Sequence, residues 1–290
     1  FTIISCASSI LNVGAKPVVV DADPLSWNMK TENISNLITS KTKAIMAVHI
    51  YGLPVNMDPI IDLARKHNLF VIEDAAELIG GLYKNKKCGS FGDISTVSFY
   101  PNKQITTGEG GMVLTNSKNL AERCKSLRNL CFNNEERFIH KEIGWNYRMT
   151  NLQAALGLGQ IERIDSIIDK KKEIGKIYND LLEGKTNLQL PLRQNKFAEN
   201  LYWVYGIVLD KYMIDAKTLM QKLKENGIGT RPFFYPMHKQ PVFNGMNLER
   251  GQNCEVSERL YKNGLYLPSG ITLNYEKISR VVETLLKLIK

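Results

Sequence analysis

The chain has 290 residues, 43% of them hydrophobic and 23% charged, with a formal net charge of +9. This composition excludes a disordered tail, a coiled coil and a collagen-like repeat, and with no run of 18 or more apolar residues no helical membrane span is expected. The five cysteines (Cys6, Cys88, Cys124, Cys131, Cys254) are scattered, with no CxxC pair and no histidine at ligand spacing. Free thiols in a reducing, cytoplasmic setting are therefore expected, with neither a disulfide framework nor a metal site.

The chain opens on Phe1 rather than Met, directly on an apolar run, and a fragment whose beginning is missing is expected. The first strand is predicted at Pro17-Val18-Val19-Val20-Asp21 and the second at residues 43–50. Residues 57–67 carry Ile60, Ile61, Leu63 and Ala64 on one face and predict a helix; residues 69–74 predict the next strand. Such βαβ alternation predicts a mainly parallel sheet with helices on both faces. Strand-like runs follow at 94–100 and 111–115, then a helix at 117–129.

Thr150 and Gln153 have capping-box spacing, and apolar positions from Leu152 to Ile168 continue at helical period. One helix long enough to span two lobes is predicted there. Lys170-Lys171-Lys172 within it, like Lys84-Lys86-Lys87, reads as a solvated face; the lysine clusters lack interleaved aromatics, so no nucleic-acid partner is expected. Beyond Gly184 the pattern becomes α+β, with a strand at 202–209, a helix at 215–226 stopped by Gly227, and a last helix at 275–289. A large domain over 1–175 and a small α+β domain over 176–290 are expected.

In an open α/β sheet, ligands gather beyond the carboxyl ends of the strands. Asp74 ends an apolar strand in Glu73-Asp74-Ala75-Ala76-Glu77. A neighbouring strand leads into Ser98-Phe99-Tyr100-Pro101-Asn102-Lys103, followed by the turn Gly108-Glu109-Gly110-Gly111. A carboxylate and a lysine at neighbouring strand ends can face one crevice. The glycine turn fits neither GxGxxG nor a Walker loop, and Gly89-Ser90-Phe91-Gly92 is no GxSxG elbow. His49, His67 and His140 have no companions in the sequence and read as structural.

These segments, together with Gly14-Ala15-Lys16-Pro17 and Gly144-Trp145-Asn146-Tyr147-Arg148-Met149, form an ordered set that resembles the DegT/StrS family of pyridoxal-phosphate (PLP) aminotransferases over essentially the whole chain. Within it, residues 105–111 and 230–238 resemble the GDP-perosamine synthase branch. The resemblance implies an aspartate-aminotransferase-like fold type I, α/β with a mainly parallel seven-stranded-type sheet, and a smaller α+β C-terminal domain. It also implies a homodimer with shared active sites, and that the remaining phosphate contacts and a ring-stacking aromatic lie upstream of Phe1 in relatives.

By the same resemblance Lys103 is the Schiff-base lysine that carries protons, and Asp74 pairs with the pyridine nitrogen of the PLP/PMP cofactor. Glu77 contacts the ring hydroxyl. Ser98 and, from the neighbouring subunit, Asn146 take the cofactor phosphate. Arg231, His238 and Tyr147 are the expected contacts to the substrate. The implied reaction moves an amino group from L-glutamate to C4 of a nucleotide-linked 4-keto-6-deoxy sugar for surface polysaccharide. A UDP- or dTDP-linked keto sugar, a small keto phosphate, and a non-catalytic binding protein are the alternatives. A dehydratase branch of the family has His where this chain has Lys103.

Overall fold

The computed structural model describes residues 1–132, 136–185, 188–210, 214–248 and 252–289. In chain order the first part holds α1 (Ser5–Asn12), β1 (Ala44–Val48), α2 (Met57–His67), β2 (Phe70–Asp74), the hairpin β3 (Leu82–Tyr83) and β4 (Lys86–Lys87), β5 (Ile94–Ser98), β6 (Gly111–Leu114) and α3 (Lys118–Leu127). Then come α4 (Asn151–Ile161), α5 (Ile164–Leu182), β7 (Tyr205–Val208), α6 (Ala216–Glu225), β8 (Arg231–Pro232), α7 (Glu255–Asn263), β9 (Gly264–Leu267) and α8 (Tyr275–Leu288). No described helix is long and apolar enough to cross a membrane.

The principal sheet has the order β1-β2-β5-β6, the first three strands parallel and β6 antiparallel. The expected α/β architecture is present as a mixed sheet that has four strands among the described residues, not seven. One predicted strand, 17–21, is extended but joins no ladder. Val19 donates its N–H to Leu248 O and accepts from Gln252 Nε2, and its side chain packs on a cluster containing Met237, Phe243 and Leu248. Val19 of that β-branched run is half-buried against the far end of the chain, which substitutes for a sheet neighbour, while Val20 packs on the cluster under β1 and β2.

Helix α2 has the predicted bounds. Met57, Ile60 and Ala64 recur at helical spacing and are buried against Ile45, Ala47 and Val71 of the sheet. Asn68, at φ 51°, closes it in the left-handed conformation, with its N–H on Ala64 O.

The long helix is two. The Thr150–Gln153 capping box forms as predicted, but α4 stops at Ile161 and Arg163, at φ −115° and ψ 17°, starts α5 on a new axis. The break separates two apolar faces: Leu152, Leu156 and Leu158 of α4 are exposed, whereas Ile168, Ile174, Tyr178 and Leu182 of α5 are buried. The expected domain boundary falls inside α5.

A second sheet, β7-β9-β8, is antiparallel throughout. Helices α5, α6 and α8 cover it through Ile174, Tyr178, Leu219, Leu223, Ile278 and Leu285, packed on Tyr205, Ile207 and Leu265. An aromatic cluster of Trp27, Tyr51, Trp203 and Phe233 joins the two halves, with the Tyr51 and Phe233 ring centroids 4.8 Å apart. An inter-lobe cleft lies beside this cluster and shares Trp203 with it.

Candidate active site

Parallel pairing of β1, β2 and β5 brings their carboxyl ends to one edge, with Asp74 at the last position of β2. Asp74 Oδ1 accepts from Ala76 N–H at 3.0 Å, and Oδ2 accepts from the Cys6 thiol at 3.3 Å. Burial and the Asp74 charge push that thiol up to about 12, so Cys6 stays a protonated donor. Glu77 lies in the turn that follows; its Oε2 accepts from Tyr51 N–H at 2.8 Å, and its carbonyl accepts from Gln104 Nε2 at 2.8 Å.

Lys103 sits in the loop between β5 and β6, its Nζ 3.8 Å from the centroid of the Trp203 ring. Trp203 is fixed in turn, donating its indole N–H to Asn102 O at 2.8 Å. Burial lowers the Lys103 ammonium from its ordinary range, and the nearby Glu77 and Asp74 carboxylates oppose that shift. Burial raises Glu77 to about 8, with Lys103 pulling the other way. Desolvation thus disfavours both charges of the pair and moves Lys103 toward the free amine, its nucleophilic form.

Behind Asp74, the buried Glu73 braces the strand ends. Its carboxylate accepts from His49 Nε2 at 3.0 Å, from the N–H groups of Gly89, Phe91 and Gly92, and from the Ser95 hydroxyl. The sequence reading found no companion for His49; the fold supplies Glu73. Cys88 completes a trio whose ligand atoms lie within 4.8 Å of one another. His49 Nδ1 already accepts from Val55 N–H, which leaves Nε2 as the proton donor to Glu73 and no imidazole lone pair for a metal.

The other expected site residues fall into three groups. Ser98 ends β5, where its Oγ accepts from Tyr100 N–H at 3.3 Å, leaving its own proton to donate. Arg231 of β8 lines the same inter-lobe cleft as Lys103. Asn146 and Tyr147 stand on an exposed segment, Tyr147 stacked on Trp145 with ring centroids 6.1 Å apart. His238 lies outside the cleft lining, its Nε2 3.0 Å from Glu258 Oε1.

Residues 1–286 match the family described as the DegT/DnrJ/EryC1/StrS aminotransferase family. The GDP-perosamine synthases of Escherichia coli O157:H7 and Caulobacter vibrioides are 41% and 39% identical to the chain. Each alignment covers 98% of this chain and 76% of the relative. Among solved structures, Helicobacter pylori PseC, an aminotransferase involved in the biosynthesis of pseudoaminic acid, superposes with a TM-score of 0.92 at 26% identity, over 99% of this chain and 77% of that one. The chain belongs to this aminotransferase family.

For an aminotransferase the decisive requirement is an amine that can lose its proton near neutral pH, beside a carboxylate that can hold a cationic ring nitrogen. Burial disfavours the charged form of Lys103, and Asp74 ends the neighbouring strand, so the donor set fits the expected pyridoxal phosphate. Three neighbours escaped the sequence reading. Trp203, Cys6 and Tyr51 are brought to the site from other parts of the chain, and none belongs to a motif. A fourth, Lys171, had a local signal: it occupies the apolar stripe Ile164, Ile168, Lys171, Gly175, Tyr178, Leu182 of α5. It is buried at 6% exposure, not on the solvated face expected for the lysine run.

Proposed function

We propose that this chain is a PLP-dependent aminotransferase that moves an amino group from L-glutamate to C4 of a nucleotide-linked 4-keto-6-deoxy sugar, as a cytoplasmic step toward surface polysaccharide. The observation that carries the reading is the half-buried Lys103, destabilised as an ammonium with the Asp74 and Glu77 carboxylates near it at the strand ends. Likeness to the two GDP-perosamine synthases supports the GDP-linked acceptor.

Pyridoxal phosphate, when bound, supplies an electron sink for the carbon that gains or loses a proton. Lys103 would hold the cofactor through Nζ and, once released from it, carry the proton between substrate and cofactor. Asp74, steadied by Ala76 N–H and the Cys6 thiol, would keep the ring nitrogen protonated. Glu77 would meet the ring hydroxyl, and Ser98 the phosphate. Arg231 would take an anionic part of the substrate.

The reading includes a homodimer in which Asn146 and Tyr147 of one subunit serve the site of the other. Exposed apolar residues beside them, Ile143 at 86% and Leu152 at 81%, support a covered surface there. A panel of GDP-, UDP- and dTDP-linked 4-keto sugars with glutamate as donor tests the acceptor. Amination of the GDP-linked sugar is expected; a preference for another nucleotide, or no amination at all, would contradict the reading.

A further inference from the structure

Trp203 is buried in the aromatic cluster that joins the two halves, and its ring centroid lies 3.8 Å from Lys103 Nζ. That is well inside the ~6 Å over which a cation is drawn to the face of an indole. The same indole donates its N–H to the carbonyl of Asn102, the residue just before Lys103, at 2.8 Å. One ring therefore fixes the backbone beside the lysine and meets the far end of its side chain. A turn hydrogen bond from Lys103 N–H to Tyr100 O, 3.0 Å, secures the loop from its own start.

The backbone that carries this ring is fastened in turn. Lys171 of α5, buried by its helical phase, donates Nζ to Trp203 O at 2.7 Å and to Ser269 O at 2.5 Å. Ser269 Oγ accepts from Tyr205 N–H at 2.8 Å, which ties the mount to β7. Leu201 N–H donates to Gly52 O at 2.8 Å, and a Cβ on Gly52, at φ 101°, would lie 2.6 Å from Trp203 N. The Tyr51 ring stands 6.1 Å from the indole, centroid to centroid. A tryptophan held at its carbonyl, along its backbone and at its indole N–H has little freedom to leave the lysine.

We propose that Trp203 is a positioning residue whose ring face receives the Lys103 ammonium whenever that amine is not bonded to the cofactor, and so strengthens its hold on a proton. Taking this proton as the one moved in amino transfer rests on the function proposed above. Burial disfavours the charged amine, and the negative face of an indole returns part of that loss without adding a formal charge to the cleft. An aliphatic side chain in its place would return none of it. The charged groups that act on Lys103 are the carboxylates of Asp74 in β2 and Glu77 in the turn after it, with the Cys6 thiol of α1. Lys171, Lys217, Lys224, Arg231 and Tyr266 line the same cleft. Replacing the Trp203 side chain removes none of these groups, and Lys171 bonds the Trp203 carbonyl, a contact that every Trp203 variant keeps.

The test is the pH dependence of Lys103 acetylation by acetic anhydride in the chain loaded with pyridoxamine phosphate, which leaves Lys103 unbonded. The readout is the modified Lys103 peptide in mass spectrometry. Relative to the wild type, Trp203→Leu is expected to lower the midpoint of reactivity by about one pH unit, a tenfold loss of proton affinity. Trp203→Phe, which keeps an aromatic face, is expected to lower it by less than half as much. Equal midpoints in all three proteins overturn the proposal. A Phe variant that falls as far as the Leu variant also overturns it, since that marks lost packing and not a lost ring face. If Trp203→Leu fails to fold, the wild type still decides. Tryptophan emission of the unloaded chain is expected to step at the Lys103 midpoint, and the step to vanish in Lys103→Met; no step, or one unaltered in Lys103→Met, overturns the proposal. A chain that holds no cofactor overturns the function proposed above, and the same acetylation series on the unloaded chain then tests Trp203 alone.

Discussion

Lys103 and Asp74 lie 29 positions apart in the sequence, and both were readable because each sits in a local motif at a strand end. Their surroundings were not readable: Trp203, 100 residues beyond Lys103, has its ring 3.8 Å from Nζ, and Cys6 comes from α1 to bond Asp74. Burial is a property of the assembled lobes, so a motif can name the lysine without saying that its charge is disfavoured. Lys171 shows the converse: a lysine run suggested water, and the helical phase of one member placed it in the core. Its folded-state value of about 8 lies below the ordinary 10.5, so between those limits the unfolded chain binds more protons and stability must rise with pH. Urea unfolding from pH 7 to 10.5 should show the wild type gaining on Lys171→Met across that window, by at most about 3 kcal/mol. Parallel curves for the two proteins would show that Lys171 is not held as an uncompensated buried cation.

At the scale of elements, periodicity located α2, the capping box of α4 and the strands β1, β2, β5 and β6 to within a few residues. It was silent on α1, α7, β8 and β9, and it misled in two places for reasons of tertiary packing. Residues 17–21 have strand composition, yet the backbone hydrogen bonds of Val19 go to Leu248 and Gln252, more than 220 positions away. The helix after Thr150 has unbroken helical period, but its apolar residues serve two different surfaces and the backbone turns at Arg163 between them. Helix α5 then approaches the second sheet closely at Gly175, where a Cβ would lie 2.3 Å from Cδ2 of the Tyr202 ring. Gly175→Ala therefore forces that ring to shift, although alanine is the better helix former. The substitution is expected to destabilise the chain by about 1–3 kcal/mol in denaturant unfolding; a neutral or stabilising result would mean that the α5–Tyr202 contact yields freely.

Among the described residues the molecule is two larger sheets and the β3–β4 hairpin with their helices, the two halves locked together by the aromatic cluster around Tyr51 and opened by a cationic cleft. The net charge of +9 is not spread evenly, since the fold gathers five of the cations around a single cavity. Exposed apolar residues concentrate elsewhere, on α4 and the segment before it, where Ile143, Tyr147, Leu152 and Leu156 are all more than half exposed. A homodimer through this face would complete each site with Asn146 of the other subunit. Leu152→Glu combined with Leu156→Glu should convert a dimer to a monomer in light scattering and abolish transfer while leaving the helical circular dichroism intact. A fully active variant monomer would refute shared sites.

Whether Lys103 holds the cofactor is settled by borohydride reduction of the PLP-loaded chain, followed by proteolysis and mass spectrometry. A visible absorbance band that disappears on reduction is expected, with a pyridoxyl group on the peptide containing Lys103 that is absent in Lys103→Ala. A modified lysine elsewhere in the chain, or no covalent adduct with added cofactor, would contradict it.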